Sequence, residues 1–297
     1  MRRAFLCGED AATGRSYEHR RQWIVDRIGQ LAELFSIHVL AYAIMSNHYH
    51  IVVRLRPEQA AKWSHDEVIK RWSELYGVPL LLAKLRSDDC GEAEESVALK
   101  LLERRRERLS SLSWFMKCLN ECISRQANKE DRCTGSFWEG RFKSQALLDE
   151  RALLSCMAYV DLNPIRATMA KTPETSDYTS IQARIQLKEP IRLALFQDQT
   201  PKNLRDDAIP FYLPDYLQLV DWSGRAIAPN KRGKVDDDLP PILERLGFDE
   251  ASWHQSMTLF QKPFPMIGGP DQVRLAANKL SRHWFRGIGE MGFLANA

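Results

Sequence analysis

A change of hydrophobic period near residue 36 constrains this chain more than any other feature. Over residues 17–35, Trp23, Ile24, Ile28, Leu31, Leu34 and Phe35 recur at three- and four-residue steps, the spacing of one helix face. Residues 37–44 and 48–55 are instead rich in Val, Ile and Tyr, and Met45-Ser46-Asn47 separates them as a short polar-tipped turn. A β-hairpin is therefore predicted directly after a helix.

The rest of the chain divides by texture. Residues 56–109 form a long, highly charged insertion with helical stretches at 66–76 and 94–108. Arg104-Arg105-Arg106 with Arg108 is its densest basic cluster, read either as a solvated helix face or as a phosphate contact. Leu112, Phe115, Met116, Leu119 and Ile123 mark an amphipathic helix that starts near a Ser110 or Ser111 cap. A polar loop around Thr134-Gly135-Ser136 follows, then a strand-like piece at 142–148. Asp149 is placed to cap a helix carrying Leu153, Leu154, Met157 and Val160, which Pro164 should end. Past Lys171, closely spaced prolines break the chain into short pieces, with helices expected at 178–186, 242–246 and 272–284. A boundary is placed near 171–177, dividing the chain into residues 1–170 and 171–297; no fixed-period repeat is visible.

The 297 residues suffice for one large or two modest domains without disulfide or metal staples. A membrane span needs roughly 18 consecutive apolar residues, and the longest run, residues 39–45, has seven. Met1-Arg2-Arg3 resembles the charged start of a signal peptide, but Gly8-Glu9-Asp10 cuts the apolar segment short, so export is not expected. The six cysteines contain no Cys-x-x-Cys pair, which suits reduced thiols and a cytoplasmic location. The net charge of +3 is unevenly spread: residues 1–170 hold 26 basic and 23 acidic side chains, whereas 171–297 hold 16 of each. An anionic partner is expected to meet the first part.

Three segments carry possible chemistry. In Ser46-Asn47-His48-Tyr49-His50-Ile51, His48 and His50 stand two apart on a strand and project from one face, where two imidazoles can ligate one divalent metal or serve as polar surface. In Tyr159-Val160-Asp161-Leu162-Asn163-Pro164, Tyr159 and Asn163 share a helical face, as a phenol and an amide presented together or as a core-edge aromatic and a terminal cap. In Gly135-Ser136-Phe137-Trp138-Glu139-Gly140-Arg141-Phe142-Lys143, aromatics alternate with cations. That pattern suits single-stranded nucleic acid, or a loop packed onto the core by Trp138 and Phe142.

Together and in this order, His-x-His on a strand, Trp138-Glu139-Gly140-Arg141-Phe142, and the run from Tyr159 to Ala167 resemble the single-tyrosine HUH transposases of the insertion-sequence type, and among them the REP-associated tyrosine transposases. The resemblance covers about residues 2–169. It implies an α+β fold, a ferredoxin-like antiparallel sheet with helices on one face, here followed by a mainly helical C-terminal region. It also implies that His48, His50 and Asn163 hold a divalent metal, Mg²⁺ or Mn²⁺, although imidazoles would accept zinc as well. Tyr159 would be the nucleophile on single-stranded DNA carrying hairpin elements, leaving a 5′-phosphotyrosine and a free 3′-OH. Arg141, Lys143 and Arg166 would meet phosphates, with Trp138 and Phe142 beside them in the aromatic loop.

Two departures accompany the resemblance. In the family a central strand precedes the segment matching Arg2-Arg3-Ala4-Phe5-Leu6, and this sequence begins at Met1 without it, as a late start or a truncation would produce. The insertion at 56–109 has no derived role. A non-catalytic DNA-binding relative and a metal-dependent hydrolase using His48 and His50 are the rival readings, and the sequence does not decide between a monomer and a homodimer.

Overall fold

The computed structural model describes residues 6–10, 13–87, 90–188, 190–197, 207–227, 240–282 and 285–294. The predicted helix is α1 (Arg20–Leu34), followed by β1 (Ile37–Ile44) and β2 (Tyr49–Leu55). The insertion folds into α2 (Pro57–Ala61), α3 (His65–Tyr76), α4 (Leu80–Arg86) and α5 (Glu92–Leu109), and α6 (Leu112–Glu130) follows. Next come β3 (Ala146–Leu147), α7 (Glu150–Asp161), α8 (Asn163–Arg166), α9 (Ser180–Ile185), β4 (Phe196–Gln197), β5 (Ile209–Tyr212) and α10 (Leu213–Ile227). The chain closes with α11 (Pro241–Arg245), α12 (Glu250–Thr258), β6 (Met266–Ile267) and α13 (Pro270–Lys279). The fold is mixed α and β with a mainly helical remainder, as expected at that level.

The hairpin is the wall between two apolar clusters. Ile37, Val39, Tyr42 and Ile44 of β1 face one cluster with Ile24, Ile28 and Leu31 of α1 and with α3, α5 and α6. Leu40, Ala41 and Ala43 face the other, with α7 and most of the chain beyond residue 180. Strict alternation would send Leu40 and Ala41 to opposite faces. A β-bulge between Val39 and Ala41 shifts the register so that both face α7, and it sets Ala43 opposite His50. With about 1.5–3 kcal/mol for each fully buried Leu, Ile or Val, slipping this register would forfeit several such burials on both faces.

The expected arrangement of helices on one face is corrected: α1 and α7 lie in the two different clusters, on opposite faces of the hairpin. Among the described residues the β1–β2 sheet has two strands. The far edge of β1 is met by later chain, Ala194 N–H donating to the Val39 carbonyl at 2.8 Å and Ile44 N–H to the Tyr178 carbonyl at 3.1 Å. The other two sheets are parallel pairs, β3 with β6 and β4 with β5. The segment Arg2-Arg3-Ala4-Phe5 lies outside the described residues.

Both ends of α7 are held by later parts of the chain. At its start the Asp149 carboxylate accepts from Ala152 N–H at 2.8 Å, the predicted cap, and from Gly269 N–H at 2.5 Å. A Cβ on Gly268 would meet Leu148 Cβ at 2.8 Å, so this approach requires glycine. At its end the fully buried Asp161 accepts from Ser180 Oγ at 2.5 Å, Ile181 N–H at 3.0 Å and the Tyr216 hydroxyl at 2.6 Å. The apolar cluster that contains α7 therefore continues across residues 171–177. Pro164 does not end the helix as expected. α7 stops earlier, at Asp161, and Pro164 sits in the first turn of α8, where no intrahelical partner is needed for its missing N–H.

Candidate functional site

The site begins at the hairpin tip, which is braced from below. Met45 N–H donates to the His48 carbonyl at 2.9 Å and Cys7 N–H to the Ser46 carbonyl at 2.7 Å. The buried Arg21 guanidinium donates to the Ile44 carbonyl at 2.8 Å and reaches Ser46 Oγ at 3.4 Å. His48, just before β2, is thus presented on a fixed turn. His50 lies inside β2, and Tyr49 between them turns to the opposite face, where its hydroxyl donates to Asn120 Oδ1 at 2.7 Å. The alternation read from the sequence is the one observed.

The two imidazoles meet. His48 Nε2 and His50 Nε2 are 3.1 Å apart, and the rings are nearly perpendicular at 85°. Asn47 Oδ1 lies 2.5 Å from His48 Nδ1 and accepts its proton, which leaves His48 Nε2 as the lone-pair nitrogen. Burial, and then the neighbouring His48, push the His50 pKa down to about 4; burial lowers that of His48 too. Both rings are therefore neutral at pH 7, the form that binds metal. Nitrogens at adjacent octahedral corners, ~2.1 Å from one ion, stand about 3 Å apart, and the observed separation fits that spacing. It equally fits an N–H···N bond from His50 to His48.

Tyr159 stands beside this pair. Its ring lies edge-on to His50 with centroids 5.7 Å apart, is backed by Phe260 at 5.6 Å, and has the Arg166 guanidinium 5.2 Å from its centroid. Strand and helix meet in one apolar cluster, to which β1 and β2 contribute Ala41, Ala43 and Val52 and α7 contributes Met157 and Ala158. Asn163 is buried at the start of α8, but its side chain makes no hydrogen bond to either imidazole. Among the described residues no group of three or more His, Cys, Asp or Glu is placed to hold a metal.

The aromatic loop is divided between packing and exposure. Trp138 packs edge-on to Tyr49 at 6.0 Å and its Nε1–H donates to the Asn120 carbonyl at 2.9 Å, on the hairpin face away from His48 and His50. Phe142 is half-buried against the same cluster, while Arg141 and Lys143 are exposed. Sequence reading missed Phe260, whose role depends on a contact across about a hundred residues, and His254. The latter stacks on Trp222 at 5.8 Å; burial lowers its pKa, Glu250 opposes this, and nearby Arg166 lowers it further. Among the described residues no helix is long and apolar enough to cross a membrane. None of the six cysteines forms a disulfide. No family model, no curated protein and no solved structure matches the chain.

Proposed function

We propose that this chain is a metal-assisted tyrosine nuclease and strand transferase acting on single-stranded DNA, as its resemblance to the REP-associated tyrosine transposases implies. One observation carries the reading: two neutral imidazoles whose Nε2 atoms are 3.1 Å apart, with the ring of Tyr159 packed edge-on to one of them. A ferredoxin-like antiparallel sheet, with helices on both of its faces rather than on one, belongs to the same proposal; the antiparallel hairpin and α7 on its histidine face support it.

His48 and His50, with Asn163 as the third donor, would hold Mg²⁺ or Mn²⁺, which supplies Lewis-acid stabilisation of the scissile phosphate. Asn47 fixes the His48 tautomer, and the hairpin bracing fixes the distance between the two rings. Phe260 and His50 limit the tilt of the Tyr159 ring, so its hydroxyl is aimed by packing rather than by a hydrogen bond. In the reaction Tyr159 Oη bonds to phosphorus, the bond from phosphorus to the 3′ oxygen breaks, that oxygen takes a proton, and the phenol's own proton leaves to water. Arg166, over the Tyr159 ring, is placed to offset the charge of the transferring phosphate.

The test is incubation of the chain with Mn²⁺ and end-labelled single strands flanked by hairpins. A covalent adduct that Tyr159→Phe abolishes is expected. An adduct that survives the substitution refutes the assignment, and salt-sensitive binding with no adduct under any divalent metal identifies a non-catalytic DNA-binding protein instead.

A further inference from the structure

The insertion between β2 and α6 carries a cluster that the Tyr159 site does not use. Trp72 of α3 stacks on Tyr76 with centroids 4.8 Å apart and an interplanar angle of 27°, and Trp114 of α6 lies 5.8 Å from Trp72. Cations cover this platform: the Arg105 guanidinium is 4.2 Å from the Trp72 centroid, that of Arg108 is 4.1 Å from Trp114, and Lys117 Nζ is 4.5 Å from Trp114. Among the described residues, none of Arg104, Arg105, Arg108 and Lys117 forms an ion pair, although Arg106 on the same helix pairs with Glu103. Glu107 is exposed beside them, and Glu121 is already paired with Arg125.

Cations held this close together repel one another. Burial lowers the pKa of Arg105, and the positive charges of Arg108 and Arg104 lower it further, which is the sign of cations held near one another without anions. Arg105 Nε is buried with no hydrogen-bond partner. Tyr76 is 47 % exposed, and Val78 and Leu80 beyond it are exposed as well, so the aromatic platform opens to solvent on one side. An acidic protein segment would answer the charge but leave the aromatic rings unused. Single-stranded nucleic acid answers both, with phosphates for the cations and a base face for the exposed Tyr76 ring.

We infer that α3, α5 and the start of α6 form a second single-stranded nucleic-acid site, on the side of the hairpin away from Tyr159. The cluster backs onto the apolar layer that includes Tyr49 and Ile51, whereas His50 and Tyr159 belong to the opposite side. The site does not depend on the proposed tyrosine chemistry and works without metal. It gives the insertion a role in holding a strand apart from any cleavage site.

The experiment is fluorescence anisotropy with a labelled oligothymidylate in metal-free buffer over a series of salt concentrations, using the full chain. The double substitution Arg104→Gln with Lys117→Gln, at two exposed positions, should weaken binding at least about tenfold and reduce the log–log salt slope by about 0.7 per lost contact. Arg104→Lys with Lys117→Arg should retain binding and shows that the surface tolerates change. Tyr76→Ala should weaken binding roughly fivefold or more through lost stacking. Unchanged affinity in the Gln pair overturns the proposal. So does competition by polyglutamate as strong as by unlabelled oligonucleotide with Tyr76→Ala silent, which would mark a general anion patch. Because no adduct is read, failure here leaves the Tyr159 assay unaffected, and failure there leaves this result standing.

Discussion

Two polar clusters meet α7 near its C-terminal end, and they are built in opposite ways. Around Asp161 the carboxylate itself is fully engaged: three donors converge on it, Ser180 Oγ also accepts from Tyr42 N–H at 2.9 Å, and Arg184 donates to the Leu40 carbonyl at 2.9 Å while its Nη1 is buried without a partner. Two residues earlier along the helix, the Tyr159 ring adjoins a pair of imidazoles whose outward nitrogens meet only each other. The hydrogen bonds on this buried carboxylate tie β1, α7, α9 and α10 into one arrangement and engage it from three sides within the protein. The histidine pair sits at the rim, neutral and under-coordinated, and its capacity to bind is the converse of its small contribution to stability.

Substitutions at the two clusters should therefore separate stability from binding. Asp161→Ala leaves two hydroxyls, an amide and the Arg184 charge facing a void, and a loss of about 3–5 kcal/mol is expected from urea unfolding midpoints. A loss below about 1 kcal/mol would show that the network is not the clasp described here. Tyr216→Phe removes one donor to a charged acceptor and should cost about 2 kcal/mol, with far-UV circular dichroism unchanged.

Acid titration probes the other cluster. His50 has a folded pKa depressed to about 4 against about 6.5 when unfolded, so the unfolded chain binds the extra proton first. Its contribution is fully present above about pH 6.5 and is lost as pH falls towards 4. With allowance for partial exposure the loss is about 1–2 kcal/mol, and His50→Gln should flatten that part of the stability profile. The smallest stability effect is expected at His48, which stands on the hairpin tip just before β2. His48→Ala should shift the unfolding free energy by less than about 0.5 kcal/mol while abolishing Mn²⁺ binding measured by calorimetry. Equal Mn²⁺ affinity in this variant would remove the metal site from the reading.

Local pattern carried much of the architecture. The hairpin, α1, α3, α5, α6 and the Asp149 cap of α7 follow from spacing and cap chemistry, because each depends on residues a few positions apart. α10 escaped because Pro214 reads as a breaker, yet it occupies the helix's first turn, where proline is tolerated. The helix expected at 272–284 is α13, which begins at Pro270 and ends at Lys279, short of the expected end; of the expected positions, His283 and Trp284 lie outside the described residues.

The sequence by itself determined that His48 and His50 share a strand face opposite Tyr49, since alternation is a property of extended backbone. It also placed Tyr159 in a capped helix and concentrated the positive charge in the first 170 residues. Only the tertiary structure decided that the bulge after Val39 turns β1 so that α7 lies against the histidine face, that Phe260 backs Tyr159, and that Asp149 and Asp161 fasten α7 to later chain. These are contacts between residues tens to more than a hundred positions apart. They are selected by which apolar surfaces can be buried together and which buried polar atoms can be paired, and no local spacing records that outcome.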